Sequence, residues 1–160
     1  MARTQYSKLL ICDTAFFDKH VASSPTTQLK LMHINMKSRQ HHRKHVRISG
    51  RSFEEIQKKS PSYQKHVDLI RAAIKPIDYP EVDNIEKEED EVERTVLHAI
   101  NMSSSPPYDV VILTTDEKSE EYLKNAHFIK MKEVSVKTDD IALRLIDQMY
   151  LAGMENQDLC

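Results

Sequence analysis

The sequence predicts an α/β three-layer sandwich built on a central, mostly parallel sheet. Two observations carry this expectation. Short unbroken apolar runs, KLLIC at 8–12 and YDVVIL at 108–113, have the length and character of strands buried on both faces. Between and after them come longer stretches with helical spacing of apolar residues, and strands alternating with helices imply a parallel sheet covered on both sides. A length of 160 residues fits a single domain, 1–160, with enough chain to bury a core.

The elements follow in order. KLLIC stops at Asp13, and a helix is expected from about Thr14, capped by Asp13 or Thr14. Residues 22–27 (ASSPTT) read as a loop, and Leu29, Met32, Ile34 and Met36 as a second helix. Val46 and Ile48 alternate with charged residues as a second strand. Ser52 and Glu55 form an S-x-x-E capping box that opens a helix carrying Phe53 and Ile56. Beyond a break near Pro61, the pattern continues through Val67, Ile70 and Ile74. KPIDYPEV at 75–82 reads as a proline-punctuated link. Val92, Val96, Leu97 and Ile100 form one helical face, and SSSPP at 103–107 a loop. After the strand at 108–113 the expectation is a short helix (Ser119 to Ala126), a strand FIKM at 128–131, and a last helix with Ile141, Leu145, Ile146 and Met149.

Composition narrows the function. Lys plus Arg total 23 against 25 Asp plus Glu, for a net charge of −2, so a nucleic-acid partner would have to be held by a local patch. The two glycines, Gly50 and Gly153, cannot build a glycine-rich phosphate loop, which argues against NTPases and dinucleotide enzymes. Cys12 lies in an apolar run and Cys160 ends the sequence. That is neither a disulfide framework nor a zinc pattern, and a reducing compartment is expected. The four-residue apolar run before Asp13 is too short for a signal peptide or a membrane helix, so the expected location is the cytoplasm, without a membrane partner.

The candidate site lies at strand ends. Parallel α/β sheets bind ligands beyond the carboxyl ends of their strands. Two strands here run into aspartate, LLIC-Asp13 and VVILTT-Asp116, and Glu55 and an acid from 89–93 can join them from helices. Crowded carboxylates raise one another's pKa, a cation relieves that repulsion, and an all-oxygen donor set suits Mg²⁺ or Mn²⁺. Each acid also has a plainer reading, since Asp after a strand commonly caps a helix and acid runs are commonly solvated faces.

These residues resemble the motifs of PIN-like domains. LLICDT at 9–14 is similar to the family's opening strand, which ends in Asp followed by Thr or Ser. HVRISGRSFEEIQ at 45–57 resembles its strand, tight turn and helix, mapping Glu55 and Ile56, with Ser49 where the family often has Pro. ERTVLHAI at 93–100 resembles the third motif, with Glu93 in place of the usual Asp; Glu89 or Asp90 could be the equivalent acid. DVVILTTDEKSEEYLKNAHFIKMKEV at 109–134 looks most like the family and maps Asp116. The resemblance implies a Mg²⁺- or Mn²⁺-dependent nuclease, most often an endoribonuclease, with Asp13, Glu55, Glu93 and Asp116 as metal ligands and catalytic acids and RNA as substrate. It also implies a homodimer, through the last helix, or an inhibitor protein as partner. Two other readings stand beside it: a DNA-directed PIN-like nuclease, and a non-catalytic PIN-like fold serving as a binding or assembly module.

KSRQHHRKHVR at 37–47 is the local basic patch, with Lys37, Arg39, Arg43, Lys44 and Arg47 as candidate nucleic-acid contacts. A solvated connector is the plainer reading. His41, His42 and His45 lack the spacing and partners of a zinc site.

Overall fold

The computed structural model describes residues 8–38, 46–59, 75–77, 83–103, 109–130 and 133–155. Five strands form one all-parallel sheet: β1 (Lys8–Cys12), β2 (Val46–Ser49), β3 (Lys75–Ile77), β4 (Asp109–Thr114) and β5 (Val134–Thr138), in the spatial order β3-β2-β1-β4-β5. The α/β class and the parallel sheet expected from the sequence are both present.

Strand alternation sorts the apolar runs into two cores. Leu10, Cys12, Val46, Ile48, Val111 and Leu113 face one side. There they pack with α1 (Thr14–Phe16), the π-helical turn Phe17–Val21 that continues it, α2 (Pro25–Ser38), α3 (Gly50–Lys59) and the C-terminal helix α8 (Asp139–Glu155). Leu9, Ile11, Val110, Ile112 and Val134 face the other, against Val92, Val96 and Ala99 of α5 (Glu91–Ser103) and Tyr122 of α6 (Asp116–Lys124). Burial on both faces explains why β1 and β4 read as continuous rather than alternating hydrophobic stretches. Two short helices, α4 (Asp83–Glu86) and α7 (Ala126–Lys130), complete the described elements.

Several local expectations are corrected. Of the stretch read as a loop at 22–27, the last three residues are helical. Pro25 opens α2, and Ser24 caps it by accepting the Thr27 N–H at 3.2 Å. Ser52 does not open α3: the helix begins at Gly50, and the buried Ser52 hydroxyl accepts from Arg94 instead. The link at 75–82 contains β3, which pairs with β2 alone, and an edge position tolerates the proline at 76. α6 starts at Asp116 rather than Ser119, and Phe128 to Lys130 are helical. The last strand is instead VSVKT, whose β-branched residues pair with β4 from Val110↔Val134 to Thr114↔Thr138. The helical pattern through 67–74, the loop at 104–107 and Met131 lie outside the described residues.

Candidate functional site

The strand order reverses between β1 and β4. The chain proceeds outward from β1 through β2 to β3 on one side, then returns to β4 and β5 on the other. Crossover helices leave such a pair toward opposite faces, which opens a crevice at the carboxyl end of the sheet. Asp13 follows β1 there, and Thr114, Thr115 and Asp116 close β4 and open α6 beside it. The two ends are fastened by the Asp13 N–H donating to the Leu113 carbonyl at 3.0 Å.

Asp13 is 1% exposed. Its Oδ1 caps α1 by accepting the Phe16 N–H at 2.7 Å. Its Oδ2 accepts from the Thr114 hydroxyl and, at 3.1 Å, from the Tyr122 hydroxyl. Glu91, the first residue of α5, reaches the same end of β1, where its Oε1 accepts the Thr14 N–H at 2.6 Å. Its Oε2 lies 3.8 Å from Lys118 Nζ, and the same ammonium is 3.6 Å from Glu121.

Burial pushes the Asp13 carboxyl up to about 6, and the charge of Glu91 adds to the rise; the hydrogen bonds from Thr114, Phe16 and Tyr122 offset only part of it. Burial works to lower Lys118, but Glu91, Glu121 and Asp13 outweigh it and raise the ammonium's pKa. Burial and the nearby Asp13 and Glu91 charges also raise Tyr122, which keeps it a neutral donor. Cys12 is pushed up in the same way, so its buried thiol is unsuited to nucleophilic work. Two hydroxyl oxygens at this edge, Thr14 Oγ1 and Thr115 Oγ1, are buried without a hydrogen-bond partner among the described residues. Buried hydroxyls are ordinarily paired, so these two stand out at this edge.

The acids expected from the sequence are placed differently from one another. Asp13 sits at the switch point. Asp116 opens α6 at the same edge with an exposed side chain, and its N–H donates to Asp139 Oδ2 at 3.0 Å. Glu55 is committed to arginines, Arg51 Nε at 3.2 Å and the buried Arg94 at 3.6 Å. Glu93 is half-buried in the first turn of α5, its N–H capped by Asp90 Oδ1 at 2.9 Å; Glu89 and Asp90 are exposed. The acid whose charge reaches Asp13 is Glu91, two residues before Glu93. A signal for it exists in the sequence. Glu91, Thr95 and His98 recur at helical spacing; Thr95 and His98 are buried and Glu91 is half-buried. Among the described residues, no three His, Cys, Asp or Glu side chains stand close enough to form a metal-holding group.

Of the candidate nucleic-acid contacts, Arg47 is buried in β2, 6% exposed, rather than presented on an open face. Lys37 falls within α2. Arg39, Arg43, Lys44 and the three histidines lie outside the described residues. No helix among the described residues is long and apolar enough to cross a membrane.

A second acidic centre lies at the end of β2. Glu86 accepts from Ser49 Oγ and from the N–H groups of Gly50 and Arg51, each at 3.0 Å, which caps α3 from another part of the chain. His98 Nε2 lies 3.1 Å from its Oε1. Burial works to raise Glu86, but His98, the Arg51 N–H and Ser49 outweigh it and pull the carboxyl down to about 2. The fully buried Arg94 binds Ser49, Ser52 and the Glu88 carbonyl behind it. At the end of β5, Asp139 adopts a left-handed φ of 37° and binds Lys19 and His20 of the π-turn.

Comparison with protein-family models, with curated proteins and with solved structures found no match to this chain.

Proposed function

We propose that the chain is a divalent-metal-dependent nuclease of PIN-like type, acting on RNA, with Asp13 at its centre. The observation that carries this reading is the state of Asp13. A nearly inaccessible carboxylate stands at the topological switch point with a second carboxylate beside it, and its ionisation is opposed by both. Perturbed titratable groups in such crevices mark candidate functional sites.

The donor set fits a hard cation. Asp13 and Glu91 would hold it, with the unpartnered hydroxyls of Thr14 and Thr115 as adjacent oxygen ligands and Asp116 at the rim. Mg²⁺ is commonly held by only one or two carboxylates, with water and substrate phosphates filling the other positions. Bound there, such an ion would neutralise charge at a phosphodiester and lower the pKa of an attacking water. The chain's own groups do the positioning. Thr114 and Tyr122 fix Asp13 Oδ2, the Phe16 N–H fixes Oδ1, and the Thr14 N–H fixes Glu91. RNA rather than DNA is the substrate we favour, because the resemblance implies a nuclease that is most often an endoribonuclease. Asp13→Asn should lower Mn²⁺-dependent cleavage of single-stranded RNA by more than ~100-fold, since even residues behind a metal ligand commonly cost ~10–100-fold. Wild-type cleavage that persists in excess EDTA would contradict the proposal.

One observation favours a second reading, a binding or assembly module without catalysis. Glu55 is spent on Arg51 and Arg94, and Glu91 faces Lys118, so two of the relevant acids already have cations. Absence of calorimetric Mn²⁺ binding at millimolar concentration would select it.

A further inference from the structure

We propose that Lys118 is a built-in counter-ion of the switch-point carboxylates, and that a divalent cation enters by displacing its ammonium from Glu91 toward Glu121. This rests on reading that edge as a cation site.

The geometry is that of a charge with two anchors. Lys118 Nζ stands 3.8 Å from Glu91 Oε2 and 3.6 Å from Glu121 Oε2, with its side chain 30% exposed. Glu91 belongs to the site, since its other oxygen takes the Thr14 N–H beside Asp13. Glu121 does not: it lies one turn along α6 from Lys118 and is exposed. Both contacts are near the outer limit of an ion pair, so neither pins the ammonium. A lysine is a point charge on a flexible four-carbon stem, able to leave one carboxylate while keeping the other.

Two carboxylates side by side need compensation, and Lys118 supplies one positive charge at Glu91. Asp13, almost wholly buried, is held instead by the Phe16 N–H and the Thr114 and Tyr122 hydroxyls. A divalent ion between Asp13 and Glu91 would neutralise both but would repel an ammonium left at Glu91 Oε2. The ion and Lys118 therefore compete for that oxygen. Glu121 gives the displaced ammonium a place at the rim, where its charge then faces an arriving phosphate.

The two partners of Lys118 should act with opposite sign on metal affinity. Calorimetric titration of the full chain with Mn²⁺ should show Lys118→Met binding about tenfold more tightly than wild type, within the range of ordinary coupling between sites. Glu121→Gln should bind several-fold more weakly, and Lys124→Met, an exposed charge farther along α6, should match wild type. An independent readout is acylation of the Lys118 amine followed by mass spectrometry, which should be faster with saturating Mg²⁺ than without it. Lys118→Met binding Mn²⁺ no more tightly than wild type overturns the exchange while leaving the cation site standing. No binding by either protein at millimolar Mn²⁺ overturns the cation site itself, and the exchange with it. Circular dichroism of each variant establishes that the fold is retained.

Discussion

Asp13 and Glu86 are both carboxylates at the carboxyl edge of one sheet, yet the protein treats them in opposite ways. Glu86 receives two backbone N–H groups and a serine hydroxyl, with His98 Nε2 3.1 Å away, and its carboxyl falls to about 2. Asp13 receives three donors as well, but it is almost wholly buried beside another acid, and its carboxyl rises to about 6. Hydrogen-bond count does not separate them. The difference is the neighbouring charge and the depth of burial. Glu86 is compensated within the fold and holds α3 in place. Asp13 is left short of positive charge at the topological switch point, where the proposed site would lie.

The largest stability effect should come from the compensated acid. Glu86→Ala removes the cap of α3 and the acceptor of the Ser49 hydroxyl, and should cost about 2–3 kcal/mol near neutral pH in denaturant unfolding. Its carboxyl is depressed from the ordinary 4.5 to about 2, so its contribution is complete above about pH 4.5 and is lost as pH falls through about 2. A loss below about 0.5 kcal/mol would erase the contrast.

Asp13→Asn should have the opposite sign. Asparagine can still accept the Phe16 N–H, while the Thr114 and Tyr122 hydroxyls rotate to accept from its amide. The folded pKa of Asp13 is raised from 3.8 to about 6, so the folded state holds the proton more tightly than the unfolded one. Its favourable contribution is therefore complete below about pH 4 and is lost as pH rises through 6. Without divalent ions, Asp13→Asn should be more stable than wild type by about 2 kcal/mol at pH 8 and indistinguishable from it near pH 4. The smallest change is expected at Asp139. Its carboxyl is also held near 2, because His20, the Asp116 N–H and Lys19 outweigh the effect of burial. Asparagine there keeps an acceptor for Asp116 and tolerates the left-handed backbone, so Asp139→Asn should cost under about 1 kcal/mol.

The same contrast explains which features could be read from the sequence. β1 and β4 were legible because burial on both faces writes an unbroken apolar run, and Asp13 and Asp116 were legible as the residues that end those runs. β3 was not, because three residues containing a proline at a sheet edge carry almost no pattern. VSVKT was hidden beside FIKM because FIKM is the more continuous apolar run, while the β-branched residues of VSVKT are the ones that pair with β4. In the acidic stretch before α5, composition cannot tell an inward carboxylate from a solvated one; the helical phase shared by Glu91, Thr95 and His98 can. Glu86 was hidden entirely, since capping a helix that begins 36 residues earlier leaves no local signature.

Crystals grown with Mn²⁺ and measured at its absorption edge test the central claim most directly. The account predicts one anomalous peak between the carboxylates of Asp13 and Glu91, with the Lys118 ammonium moved away from Glu91 to Glu121. Ordered crystals at saturating Mn²⁺ with no peak at that pair, or with the ion seated only at Glu55 and Glu93, would contradict it.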